Sequence, residues 1–193
     1  MEDLQQRLKI NGVKSGAMLG LIITALGIFS YYLITSITTS TIIFVGAPIF
    51  LGVFIPIFCV VMFCFNARKK IGGYWTFRQA VTGIFTMFIV AYLVQFIAKD
   101  IVFNRFIEPN SIQKTQTAAI NAKTLLMQQR HASPKDITKD IDDMKKEFVQ
   151  QQALSIGGIL QSMVFSVLFI FLFSLIFASL FKKDSPGGLP RPE

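Results

Sequence analysis

Four unbroken apolar blocks constrain this chain more than any other feature of it. They run over about 16–34, 42–65, 79–98 and 156–181. A helix buried in a soluble domain is apolar along one stripe, whereas a helix in lipid is apolar on every face. These blocks are apolar on every face. About 20 residues at a rise of 1.5 Å suffice to cross a hydrocarbon core roughly 30 Å thick. The composition agrees: 16% of residues are charged, against about 25% in soluble domains. An ionised side chain at the centre of a span costs roughly 2.5–3.5 kcal/mol. Arg78, Lys99 and Lys182 therefore mark block edges. The expected fold is all-α, an integral membrane four-helix bundle. The first block is expected to be a retained anchor. It is longer than the apolar core of a signal peptide, and "SYYLITSITTST" offers no Ala-x-Ala cleavage site.

The connections divide the chain further. Residues 1–98 hold the first three spans, with a basic elbow at 66–78. The connection 36–41 is short and uncharged, so spans one and two must run antiparallel. Pro48 and Pro56 lie inside the second span, and each removes a backbone donor and bends it. Residues 99–155 form a long loop, 156–181 the fourth span, and 182–193 a Pro- and Gly-rich tail expected to be disordered.

Four spans put both termini on one side. That side carries ten basic residues against four acidic ones, while the 36–41 turn carries no charge. The long loop has nine basic and seven acidic residues. The positive-inside rule then places both termini in the cytoplasm and the long loop outside. The net charge of +8 is accounted for by these flanks, and no nucleic-acid partner is expected.

The elbow concentrates unusual residues: "RKKIGGYWTFRQA" begins at Arg68 and includes the only tryptophan. Arg68, Lys69, Lys70 and Arg78 are expected to reach for an anionic lipid surface. Tyr74 and Trp75 are expected to anchor the chain at headgroup depth, with Phe77 beside them. Gly72-Gly73 lets the chain reverse. The pattern Gly-Gly-aromatic-x-x-aromatic-x-x-Ala-x-x-Gly, carried by Gly72, Gly73, Tyr74, Phe77, Ala80 and Gly83, resembles an uncharacterised bacterial four-span membrane family, domain of unknown function family 4199. The resemblance implies a similar length and a long loop between spans three and four. It brings no activity and no catalytic residue.

The residues themselves point to no chemistry. His131 is the sole histidine, and no HExxH, GxSxG, P-loop or CxxC occurs. Asp136, Asp140, Asp142 and Asp143 lack the central Gly of a calcium loop. Cys59 and Cys64 are five apart and leave a common helix face. No catalytic, metal or cofactor site is expected.

Three packing features remain. Gly12, Gly16, Gly20, Thr24 and Gly27 fall on one face of the first span, a surface that lets another helix approach closely. Gln95 and Gln161 lie near the outer ends of their spans and are a candidate interhelical polar pair. In the outer loop, 111–129 and a segment starting at Pro134 read as helices, with Ser133 as the cap of the second. Ile137, Ile141, Met144 and Phe148 form a seam on that second helix, fit for a partner. The expected result is an extracytoplasmic helical hairpin, and the alternative is a docking seam for a membrane or periplasmic protein. The whole reads as a non-enzymatic multi-pass protein of the bacterial inner membrane with a structural, assembly or regulatory role. The alternative is a small transporter or channel subunit. The lipid bilayer is the one assured partner, and the oligomeric state is not legible.

Overall fold

The computed structural model describes residues 2–37, 40–152 and 156–183. The tail beyond Lys183, expected to be disordered, lies outside the described residues, as does the junction 153–155. All elements are helices: α1 (Glu2–Tyr32), α2 (Thr41–Ile49), α3 (Ile55–Lys70), α4 (Phe77–Gln95), α5 (Ser111–Gln129), α6 (Pro134–Gln152) and α7 (Ile156–Phe181). Wider π-helical turns extend or join them at Leu33–Ile37, Phe50–Phe54 and Phe96–Ile107. Four stretches are long and apolar enough to cross a membrane: Gln5–Ile37, Thr41–Lys70, Phe77–Ile107 and Gln161–Phe181.

Two of the helices run past the apolar blocks. The first helix begins at Glu2, well before residue 16. The third passes through Lys99 and Asp100 to Ile107, so the segment between spans three and four starts at Glu108 rather than Lys99. A charge ends an apolar window, but it does not end a helix. Ile101, Val102, Phe103, Phe106 and Ile107 resume the apolar pattern past the charged pair.

The second span is split. Pro56 has no N–H for the carbonyl four residues back, and its ring crowds that carbonyl. The turn widens over Phe50–Phe54, immediately before it. Such wide turns are a recognised way to absorb a break in the hydrogen-bond ladder. The later part, α3, packs on α1, while the earlier part, α2, leans on α5.

The packing is led by α1 against α4. A Cβ at Gly12 would lie 2.9 Å from the Gly83 carbonyl oxygen, and one at Gly20 2.8 Å from that of Ala91. At Gly16 it would collide with the Met87 carbonyl oxygen. These glycines therefore let backbone meet backbone. Gly27 does not continue the stripe: it faces the stem of Lys99, whose Nζ would be 3.7 Å from an added Cβ. α7 packs chiefly on α4. The buried core is small and apolar, with Leu19, Ile84, Cys64, Ala80 and Ala178 nearly inaccessible. Outside it, Phe, Ile, Leu and Val side chains are exposed along every span, as on Ile42, Phe58, Phe169 and Leu180. Such an exterior matches lipid rather than water.

Several hydroxyls inside the spans bond to carbonyls of their own helices. Thr24 Oγ1 donates to the Gly20 carbonyl at 2.8 Å, Ser166 to Ser162 at 2.9 Å, and Ser174 to Ile170 at 2.6 Å.

Gly16→Ile should be the most disruptive of the glycine changes, because both α4 backbone and Val90 stand in the way. Overpacking costs about 1–3 kcal/mol, so the thermal midpoint in detergent should fall clearly. Gly46→Ala and Gly52→Ala, which meet nothing within 4 Å, should shift it far less.

Candidate functional site

Two places gather polar and charged side chains: the basic elbow at one end of the spans and a groove at the other.

At the elbow, α3 ends in a glycine turn. Gly72 and Gly73 have φ of 99° and 85°, values that other residues avoid. The Gly73 N–H reaches back to the Arg68 carbonyl at 2.9 Å, closing the turn. Thr76 then starts α4 with a capping box. The Gln79 N–H donates to Thr76 Oγ1 at 3.4 Å, and the Thr76 N–H to Gln79 Oε1 at 2.9 Å.

Between these ends sits Trp75, and here the sequence expectation needs correction. Its ring is 2% exposed, so it does not face headgroups. Its indole Nε1–H donates to the Phe181 carbonyl at 2.7 Å. The Trp75 and Lys183 backbones exchange hydrogen bonds at 3.1 and 3.2 Å. Gly83 leaves room for the ring, since a Cβ there would be 3.4 Å from Trp75 Cζ3. The last carbonyls of a helix lack partners within it, and Trp75 supplies one for α7. Arg68 also turns inward. Its guanidinium lies 5.2 Å from the Phe65 ring centroid, and its Nη1 donates weakly to the same Phe181 carbonyl at 3.4 Å. Lys183 covers the half-buried Tyr74 ring at 5.4 Å. Lys69, Lys70, Phe77 and Arg78 are exposed and remain available to a surface.

At the opposite end, Tyr31, Tyr32 and Phe103 form an edge-to-face cluster. Asn104 and Ser111 bond at 3.0 Å, and Lys114 pairs with Glu108 at 2.7 Å. That carboxylate, as hydrogen-bond acceptor, holds the Lys114 ammonium above its ordinary pKa. Above the cluster is an open groove of about 830 Å³ between the end of the first span, the start of the second and α5. Ile34, Ser40 and Phe44 contribute from the spans, and Gln113, Thr117 and Asn121 from α5.

The remaining candidates fall as follows. Gln95 and Gln161 share no hydrogen bond among the described residues, and Gln161 is exposed. Ile137, Ile141, Met144 and Phe148 are all half-buried on α6, which touches α5. Lys123 Nζ of α5 lies 3.1 Å from Asp140 Oδ2 of α6. The cap of α6 is formed by Ser133, whose Oγ accepts from the Asp136 N–H at 3.2 Å. Ile112, at the start of α5, is exposed. Among the described residues no three His, Cys, Asp or Glu side chains cluster as metal ligands.

Sequence reasoning missed the groove and the Trp75–Phe181 bond. The groove had a signal in the uncharged polar series Gln113, Thr117, Asn121 and Gln128, spaced four, four and seven. The capping box was legible as Thr-x-x-Gln. The indole bond had none, because its partner is a main-chain carbonyl far along the chain.

The architecture defines an all-helical protein with four membrane-length apolar helices. The chain belongs to the family described as "Protein of unknown function (DUF4199)", whose family model matches residues 14–183. Neither a curated protein nor a solved structure matches it.

The buried indole leads to a spectroscopic expectation. As the sole tryptophan, Trp75 should emit at short wavelength and resist quenching by acrylamide. Lys183→Pro removes the N–H that donates to the Trp75 carbonyl, at a cost of about 0.5–1.5 kcal/mol. Quenching of that variant should rise. Quenching of the wild type by acrylamide at the rate of free tryptophan would contradict the buried placement.

Proposed function

We propose that this chain is a non-enzymatic multi-pass protein of the bacterial inner membrane. Both termini face the cytoplasm, and α5 and α6 form a helical hairpin outside. Its role is structural, in assembly or in regulation, exerted through that outer face. One observation carries the reading: the interior is used for helix contact. The α1 and α4 backbones meet at Gly12, Gly16 and Gly20, and the buried Thr24 and Ser174 spend their hydroxyl protons on their own helices. A transport path instead requires polar groups turned toward a lumen. The orientation is supported by ten basic residues on the terminal side against an uncharged 36–41 turn. The bilayer is one partner, and a membrane or periplasmic protein at the outer helices is the other.

The alternative of a small transporter or channel subunit is tested directly. Vesicles reconstituted with the purified chain should release trapped potassium and small neutral solutes no faster than protein-free vesicles. Specific, saturable flux would overturn the structural reading. Reporter fusions should be cytoplasmic at Phe181 and extracytoplasmic within 110–150, and the opposite pattern would reverse the topology.

The hairpin has its own test. Phe148 is half-buried on the face that also holds Asp140, the partner of Lys123. Placing a carboxylate there costs about 1–3 kcal/mol of unsatisfied polarity. Phe148→Asp should therefore raise protease cleavage within 115–130 in the purified protein. Unchanged protection, together with loss of a co-purifying protein, would favour α6 as a docking seam instead.

A further inference from the structure

We infer that an anionic phospholipid seats its headgroup at the elbow, beside the ends of α3 and α7, and that its charge completes the clasp between Trp75 and the end of α7. This rests on the reading of the chain as a membrane protein, and it gives one leaflet a task in holding the fourth span.

The clasp gathers cations. Trp75 Nε1–H donates to the Phe181 carbonyl at 2.7 Å, and Arg68 Nη1 reaches the same oxygen at 3.4 Å. The Trp75 and Lys183 main chains exchange two hydrogen bonds. Closing the clasp therefore brings Arg68, Lys69 and Lys70 at the end of α3 toward Lys182 and Lys183 after α7, with Arg78 in the first turn of α4. No Asp or Glu occurs within 66–98 or 156–183. Among the described residues none of these six cations pairs with a carboxylate. Lys183 rests over the Tyr74 ring at 5.4 Å, which attracts the ammonium without cancelling its charge. The C-termini of α3 and α7 offer about half a negative charge each, and the N-terminus of α4 about half a positive one. Dipoles of that size leave most of the six charges uncompensated. Counting every acid on this side still leaves ten basic residues against four. Crowded like charges repel, so the excess opposes the clasp.

The surroundings select the ligand. Each group of cations adjoins an exposed apolar side chain: Phe65 lies one turn before Lys69, Phe77 directly before Arg78, and Leu180 two residues before Lys182. A matching ligand must carry an anionic oxygen joined to an apolar body. An anionic phospholipid has both, whereas inorganic phosphate and a nucleic-acid backbone have only the first. Lys69, Lys70, Arg78, Lys182 and Lys183 are exposed, and their side chains are donors that need acceptors. Each basic residue beside an anionic leaflet raises affinity roughly fivefold. An ordinary basic flank would only hold its own helix at the surface. Here the cations stand on both halves of the clasp, so a phosphate between them draws α7 and the elbow together.

The test uses the full chain in a neutral detergent, titrated with phosphatidylglycerol, with phosphatidylcholine or with inorganic phosphate. Acrylamide quenching of Trp75, the sole tryptophan, reads the clasp, and the thermal midpoint reads the fold. Phosphatidylglycerol should lower the quenching and raise the midpoint, saturably and less strongly at high salt. Phosphatidylcholine and inorganic phosphate should do neither. The triple variant Lys69→Gln, Lys70→Gln, Lys182→Gln changes exposed side chains only. It should need at least about tenfold more phosphatidylglycerol for the same change. Without lipid it should be quenched less than the wild type, since the repulsion is reduced. The matched triple variant Lys135→Gln, Lys139→Gln, Lys145→Gln on α6 should respond as the wild type does. Equal responses to the two lipids, a response to inorganic phosphate alone, or no response in Trp75 quenching would overturn the proposal. So would an unaltered response of the elbow variant or a lost response of the α6 variant. Because detergent exposes both faces, reversed reporter fusions would change the leaflet and leave these curves intact. Flat curves in a correctly oriented protein would remove the lipid site alone.

Discussion

The close approach of α1 to α4 is the contact on which the rest of the structure depends. In lipid, apolar side chains gain little by leaving one apolar neighbour for another, so helices associate through packing and short-range polar contacts. Gly12, Gly16 and Gly20 let the α1 backbone reach the carbonyls of Gly83, Met87 and Ala91. α3 then packs on the α1 side of this pair and α7 on the α4 side. Without the glycines, α3 and α7 would lose the common platform that brings Cys64 and Ala178 into one core.

The elbow then ties the two flanks together. Trp75 follows directly from the Gly72-Gly73 turn, and its indole and main chain engage Phe181 and Lys183. The motif through which the family resemblance was recognised thus has a structural meaning. Gly72 and Gly73 accept positive φ, Ala80 is fully buried, and Gly83 clears space for the ring.

Much of this was legible in the sequence, for physical reasons that also explain the failures. Lipid surrounds a span on all sides, so the four apolar blocks were visible from composition alone. The glycine stripe was visible because residues four apart share a helix face, yet its end at Gly20 was not. Whether Gly27 meets backbone or the Lys99 stem depends on how far two helix axes have diverged. Trp75 was misplaced because a tryptophan near a span edge ordinarily sits among headgroups. Its burial depends on a partner carbonyl 106 positions away. The run of the third helix past Ala98 was not legible because hydropathy senses charge, while backbone hydrogen bonding continues past it. The groove was invisible because it is a space between elements, although the polar series on α5 that lines it could be read.

The split second span has a mechanical consequence. Pro48 and Pro56 each withhold an N–H from the ladder, and the wide turn at Phe50–Phe54 lies between them. Bending stiffness in a helix comes largely from that ladder, so this is the softest joint along the span. The part on the groove side, α2, rests on α5, whereas the part on the other side, α3, is fixed to α1 and to the elbow. A lateral push on α5 would reach α2 and the end of the first span, and at α2 it would be taken up as a tilt about this joint. The molecule therefore behaves as a stiff base carrying a compliant rim.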